Sequence, residues 1–264
     1  MENENKKQNR VLLVGLLLIV LVILFTFFRS DFKKGASETA KEEVPNYPQI
    51  SATDLKTRLI KDTNIQFLDI RSSDEYNLEH INNSVNAAPG EIPSGISSQK
   101  TVVILADSSG GDALSKTFNS LKNNKFNEIL VLTRGISSWK EAGGSTISIG
   151  DPSSFVDQSK ITYISPEDLK KIIDDKNSVK YILDVRQKQS FDAGRIPGAE
   201  NIFLDDIEKS VDKIPLGENI FVYGDSDLGG FQAGVRLYDL NFFSVKVLKG
   251  GFTDWKNKGF EIVK

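Results

Sequence analysis

The 264-residue chain contains no cysteine and one histidine, His80. The first absence removes disulfides, thiolate metal sites and cysteine nucleophiles together. The second leaves too few imidazoles for zinc or facial-triad iron, which need two or more imidazole or thiolate ligands. No metal and no cofactor are therefore expected. A dense Lys/Arg cluster is also lacking, and the formal net charge is −3. Nucleic acid is not the expected partner, because phosphate binding needs a clustered basic face.

Charge of either sign is missing from residues 11–28, "VLLVGLLLIVLVILFTFF". As a helix, at about 1.5 Å per residue, this run reaches roughly 27 Å, close to the thickness of a bilayer core. It ends in Phe27, Phe28 and Arg29 rather than in a small-residue cleavage site. That contrast favours an uncleaved single-pass transmembrane anchor over a secretory signal. Residues 1–10 form a short tail before it. Lys6, Lys7 and Arg10 precede the span and Arg29, Lys33 and Lys34 follow it, so flanking charge does not orient it. The short tail and the tolerance of a cysteine-free chain for an oxidising compartment favour an extracytoplasmic location for the soluble part. Residues 29–47 carry four acidic and four basic residues without periodicity and form a solvated tether.

The remainder repeats itself. "ISATDLKTRLI" at Ile50 returns as "ISPEDLKKII" at Ile164, each a helix start with Ser51 or Ser165 as N-cap and, in the second, Pro166 at the first helical position. "IQFLDIRSSDEYNLEHI" from Ile65 matches "KYILDVRQKQSFDAGRI" from Lys180, pairing Asp69 with Asp184, Arg71 with Arg186 and His80 with Arg195 at a constant offset of 115. "TVVILADSSGGDA" from Thr101 matches "NIFVYGDSDLGGF" from Asn219. "LTRGISSWKEAG" from Leu132 matches "LKGGFTDWKNKG" from Leu248, with Trp139 opposite Trp255. β-branched runs alternate with helical stretches in both copies, which indicates an α/β fold: two domains, each a mostly parallel sheet with helices on both faces. The copies are placed at 48–146 and 161–264, joined by a polar, turn-rich linker at 147–160.

"LDVRQKQSFDAGRIPGAENI" and "VLKGGFTDWKNKG" resemble the opening and closing signatures of rhodanese-like (sulfurtransferase-fold) domains. In active members of that family the strand between these signatures ends in a cysteine. That cysteine starts a loop whose N–H groups, with the positive end of the next helix, favour a thiolate and its persulfide. The resemblance puts Ala106 at this position in the first copy and Gly224 in the second, so no catalytic residue is expected. Ser108 and Ser226 are poor substitutes, since a hydroxyl nucleophile needs an adjacent base. The former active-site positions become candidate binding loops: Ala106, Asp107, Ser108, Ser109, Gly110 and Gly111 in one copy, and Gly224, Asp225, Ser226, Asp227, Leu228, Gly229 and Gly230 in the other. With Asp112 they carry acids where the family's loop is neutral or basic.

The resemblance assigns structural roles to Asp69, Arg71, His80, Trp139, Asp184, Arg186, Arg195 and Trp255. Asp225 and Asp227 read as caps of the following helix rather than as a cation site, which would need six or more oxygen ligands. The expectation is an inactive membrane-anchored binding or scaffold protein with an unidentified protein partner. The alternatives are a sulfurtransferase of unrecognised chemistry, and a sensor using one of the loops as a pocket.

Overall fold

The computed structural model describes residues 47–106 and 111–264. The apolar run, the tether up to Asn46 and the loop residues Asp107, Ser108, Ser109 and Gly110 lie outside them. Among the described residues no helix is long and apolar enough to cross a membrane. Tyr47, expected in the tether, instead sets its ring 4.8 Å from that of Phe118 and belongs to the folded part.

The first copy runs β1 (Gln49–Ile50), α1 (Ala52–Lys61), β2 (Ile65–Asp69), α2 (Ser73–Leu78), β3 (Glu79–Ile81), β4 (Ser84–Asn86), β5 (Thr101–Leu105), α3 (Gly111–Asn123), β6 (Glu128–Leu132) and α4 (Gly135–Glu141). β7 (Thr146–Ser148) and α5 (Phe155–Ser159) follow. The second copy runs β8 (Tyr163–Ile164), α6 (Pro166–Asp174), β9 (Lys180–Asp184), α7 (Lys188–Ala193), β10 (Ala199–Asn201), β11 (Asn219–Tyr223), α8 (Asp227–Asp239), β12 (Val245–Leu248) and α9 (Gly251–Asn257). Two 3₁₀ segments, Leu204–Asp206 and Glu208–Lys213, lie between β10 and β11.

The strands form two parallel sheets ordered β1-β6-β5-β2-β4 and β8-β12-β11-β9-β10, the same topology twice. Period-two alternation sends neighbouring strand residues to opposite faces. Phe67, Val103 and Leu105 meet Leu55 and Trp139 on one side of the first sheet, while Leu68, Val102 and Ile104 meet Leu121 on the other. The second sheet divides likewise, with Leu183 and Val222 against Ala233 and Leu237, and Ile182 and Phe221 against Leu169 and Trp255. Helices therefore cover both faces, as the alternation of runs implies. Ser51 and Ser165 each accept the N–H three residues on, at 3.1 Å.

The linker at 147–160 is more ordered than its polar composition suggests. β7 pairs antiparallel with β3, and α5 occupies the centre of the segment. Ser148 N donates to Asp239 Oδ2 at 3.1 Å, and Lys160 Nζ lies 2.9 Å from Asp157 Oδ1 and 2.8 Å from Asp239 Oδ1. Burial pushes the Asp239 carboxyl up despite Lys160. For Asp157 burial acts the same way but is outweighed by Lys160 and the Asp151 N–H, which hold it below the usual range. These bonds fasten the linker to the end of α8, so residues 47–264 cohere as one unit. α8 is correspondingly buried from Gly230 to Leu237, apart from Gln232. Its inner side carries Gly230 and Gly234, where a Cβ would come within 3.0 and 2.6 Å of Val247 side-chain atoms, so only glycine lets the helix lie this close to β12.

Candidate functional site

The turn after β11 is shorter than the sequence implies. Gly224 follows the strand, Ser226 is the N-cap of α8 with no side-chain cap bond, and the helix begins at Asp227. Asp227, Leu228, Gly229 and Gly230, expected in a loop, are therefore the first turn of α8. The capping role expected of the two aspartates is also corrected. Asp227 Oδ1 accepts from Gly250 N at 2.6 Å, bonding away from its own helix to the turn after β12. Asp225 points its carboxylate outward, 72% exposed, with Oδ1 3.7 Å from Arg186 Nη1.

The backbone of this turn is held by α9. Phe252 N donates to Gly224 O at 2.9 Å, and Thr253 donates to Asp225 O through N at 3.1 Å and Oγ1 at 2.7 Å. Gly251, at φ +60°, lies so close that a Cβ would stand 2.7 Å from Gly224 O. Among the described residues the first copy shows one part of this arrangement: Gly135, at φ +52°, would bring a Cβ within 2.5 Å of Ala106 O. Gly111 and Asp112 open α3 there.

Beneath the turn, Asp184 is fully buried and accepts Arg186 N at 3.0 Å, Nε at 2.9 Å and Nη2 at 2.6 Å, while the same Nη2 reaches Gly194 O at 2.7 Å. Burial works against the Arg186 charge, but Asp184 outweighs it and holds the guanidinium above its ordinary range. Its carbon stands 3.8 Å from the Phe252 ring centroid. Asp69 and Arg71 repeat the geometry, with Nη2 2.6 Å from Asp69 Oδ2 and 2.9 Å from Glu79 O. Asn86 and Asn201, absent from the sequence-based candidates, complete each tie. Each donates its amide to the carbonyls of both motif residues, at 2.9 or 3.0 Å. Their offset of 115, the same as that of the Asp/Arg pairs, was the signal available for finding them.

Trp139 and Trp255 are buried and donate to Ser145 O and Glu261 O, each at 2.9 Å. Arg195 stacks over Phe191 at 4.6 Å. His80 sets its Nδ1 2.8 Å from Tyr76 O and its Nε2 2.9 Å from Glu208 of the second copy. A cleft of about 390 Å³ opens beside the second turn, lined in part by Arg186, Gly194, Asp225, Phe252, Thr253 and Lys256. Among the described residues no group of three His, Asp or Glu side chains is placed to hold a metal ion.

The profile of the rhodanese-like domain matches residues 51–142 and again residues 165–258, well over half of the chain. The chain belongs to the rhodanese-like family. Relatives of this rhodanese-like chain include the uncharacterised protein YqhL of Bacillus subtilis, 29% identical over 77 residues, which are 29% of this chain and 61% of that protein. A thiosulfate sulfurtransferase from Pseudomonas aeruginosa is 17% identical, with a TM-score of 0.43 covering 82% of this chain and 43% of that one. The rhodanese-like domain of an Anabaena protein is 28% identical, with a TM-score of 0.37 covering 38% and 77% of the two chains. The chain thus spans less than two thirds of the length of the first two. The chain contains no cysteine at any position.

Proposed function

We propose that this tandem rhodanese-like protein is catalytically inactive and acts as a binding or scaffold module for a protein partner. The observation that carries the reading is the closure of helix backbone over Gly224. A Cβ there would meet Gly230 N at 3.0 Å and Gly229 Cα at 3.1 Å. The position is thus without a nucleophile, and a side chain there would require the helix backbone to give by a few tenths of an ångström. Arg186, which lines the cleft with Lys256, sets Nη1 3.7 Å from Asp225 Oδ1, so an anionic sulfur donor entering there meets a carboxylate beside the guanidinium. Ser226 and Thr253 are the hydroxyls beside the turn, and the chain's one histidine is bonded elsewhere, leaving no imidazole base to activate them.

The proposal includes the anchor at residues 11–28, supported by the length and uniform apolarity of that run, with the soluble copies outside the cytoplasm. The activity test uses the purified full chain with thiosulfate or a mercaptan sulfur donor and cyanide or a thiol acceptor. No turnover above a heat-treated control and no persulfide-type mass increase are expected. Either signal sinks the inactive reading and restores the alternative of a sulfurtransferase with another chemistry.

A further inference from the structure

A larger cleft, about 720 Å³, lies between the two copies rather than beside either turn. From the first copy it is lined by Tyr76, Asn77, His80, Asn82, Asn83 and Ser84. From the second copy Asp205, Glu208, Lys209 and Arg236 face them. Arg236 is ten residues along α8 from Ser226, roughly 15 Å at helical rise, so this cleft is separate from the Gly224 turn. Its volume is within the range of small-molecule sites, about 300–1,000 Å³, and its place at a domain junction is one where such sites concentrate.

The charges in its floor are already matched. His80, 5% exposed, sets Nε2 2.9 Å from Glu208 Oε2, and Arg236 Nε stands 3.5 Å from Glu208 Oε1 while its Nη1 donates to Leu204 O at 2.7 Å. Burial works to raise the Glu208 carboxyl, but His80 and Arg236 hold it below the usual range. Lys209 Nζ stands 3.8 Å from Asp206 Oδ1, and Asp205 also lines the cleft. An anion would meet Asp205 and Glu208, and a cation would meet Lys209 and Arg236.

On the second copy's side Arg236 Nε is buried without a hydrogen-bond partner among the described residues; what the first copy's wall leaves free is neutral. The side-chain amides of Asn77, Asn82 and Asn83 make no hydrogen bond to any described residue, and each amide offers both donors and an acceptor. Ser84 Oγ, just under the surface of the same wall, is buried without a hydrogen-bond partner among the described residues. Such an atom inside a cleft wall marks hydrogen-bonding capacity held in reserve. The Tyr76 and His80 rings, stacked at 4.1 Å, line the cleft as well. Groups that both give and accept hydrogen bonds, carried on a neutral body with apolar faces, are the chemistry of a sugar.

We propose that the cleft between the copies binds a neutral, hydroxyl-rich ligand of the saccharide class, held by Asn77, Asn82 and Asn83 and contacting both copies at once. The test uses the full chain in a detergent without a sugar headgroup and saturation-transfer NMR with four probes: maltose, N-acetylglucosamine, inorganic phosphate and tetramethylammonium. Maltose or N-acetylglucosamine is expected to give a saturable signal, and the two ionic probes none. Asn77→Ala with Asn82→Ala should weaken the sugar roughly tenfold, the effect of losing one or two hydrogen bonds, while Asp225→Ala at the other cleft leaves it unchanged. Asn82→Asp, which keeps the size and removes the amide donors, gives the same comparison if the double variant does not fold. The inference is overturned if neither sugar saturates, if phosphate or tetramethylammonium binds in its place, or if the amide variants retain full affinity.

Discussion

A Cβ built on Gly224 would stand 3.0 Å from Gly230 N and 3.1 Å from the Cα and carbonyl carbon of Gly229, all backbone atoms of α8 that cannot swing aside as a side chain would. Gly224 is not among the glycines with positive φ, so its torsions suit any residue and an alanine there would otherwise stabilise the fold through the unfolded chain by about 0.4–1 kcal/mol. The contact decides the sign. Gly224→Ala is expected to destabilise by about 1–3 kcal/mol in urea unfolding, as overpacking does, and a neutral or stabilising result would show that the helix start yields freely. Gly224→Cys should suffer at least as much and remain unable to form a persulfide even when Asp225 and Asp227 are neutralised. The sequence showed acids at Asp225 and Asp227 where the family's loop is neutral or basic, because charge can be read from a residue's identity. The backbone approach cannot, since it depends on α8 beginning at Asp227. The Asp/Arg ties were legible for the opposite reason: they recur as a short local motif, each arginine folding back on an aspartate two residues away.

Among the secondary-structure elements, strand identity followed from β-branched runs and helix starts from serine caps, both local signals. β3 with β7, and α5 inside the linker, were not legible, because three-residue strands and a five-residue helix leave no periodicity to detect. The early start of α8 was hidden by Gly229 and Gly230, which read as loop residues, although Gly230 lies in the helix where a Cβ would come within 3.0 Å of a Val247 side-chain atom. One tie between elements has a pH signature. Arg58 of α1 donates to Glu128 of β6 through Nη2 at 2.6 Å and Nη1 at 2.9 Å, and Thr101 of β5 donates to the same carboxylate at 2.6 Å. Arg58, then Thr101, draw the Glu128 pKa from an ordinary 4.5 down to about 2. A depressed carboxyl stabilises the fold fully above its unfolded value and loses that contribution as pH falls through the folded one. The side chain is 43% exposed, so solvent screening limits the effect to about 1 kcal/mol or less. Arg58→Met should therefore shift the urea midpoint at about pH 6 and leave it nearly unchanged at about pH 2; an equal shift at both would assign the loss to packing.

For the chain as a whole, the proposed anchor makes a topological claim. Protease added to intact cells or spheroplasts should remove both rhodanese-like copies and spare a short N-terminal fragment. Full protection would put the copies in the cytoplasm and reverse the proposed orientation. The junction between the copies was the least legible part of the sequence, since Glu208, Arg236 and Asp239 carry no motif and gain their meaning from His80, Ser148 and Lys160, which are distant in the chain. That junction also changes how the molecule opens. α8 has β12 against one side and the linker against the other, where Gly150 approaches Gln232 and Val235. Its central amides, from Ala233 to Leu237, are therefore shielded twice, and a fluctuation confined to one copy does not release them. Hydrogen exchange at these amides becomes a clock for separation of the two copies, slow while they hold together and quickened by anything that pries them apart.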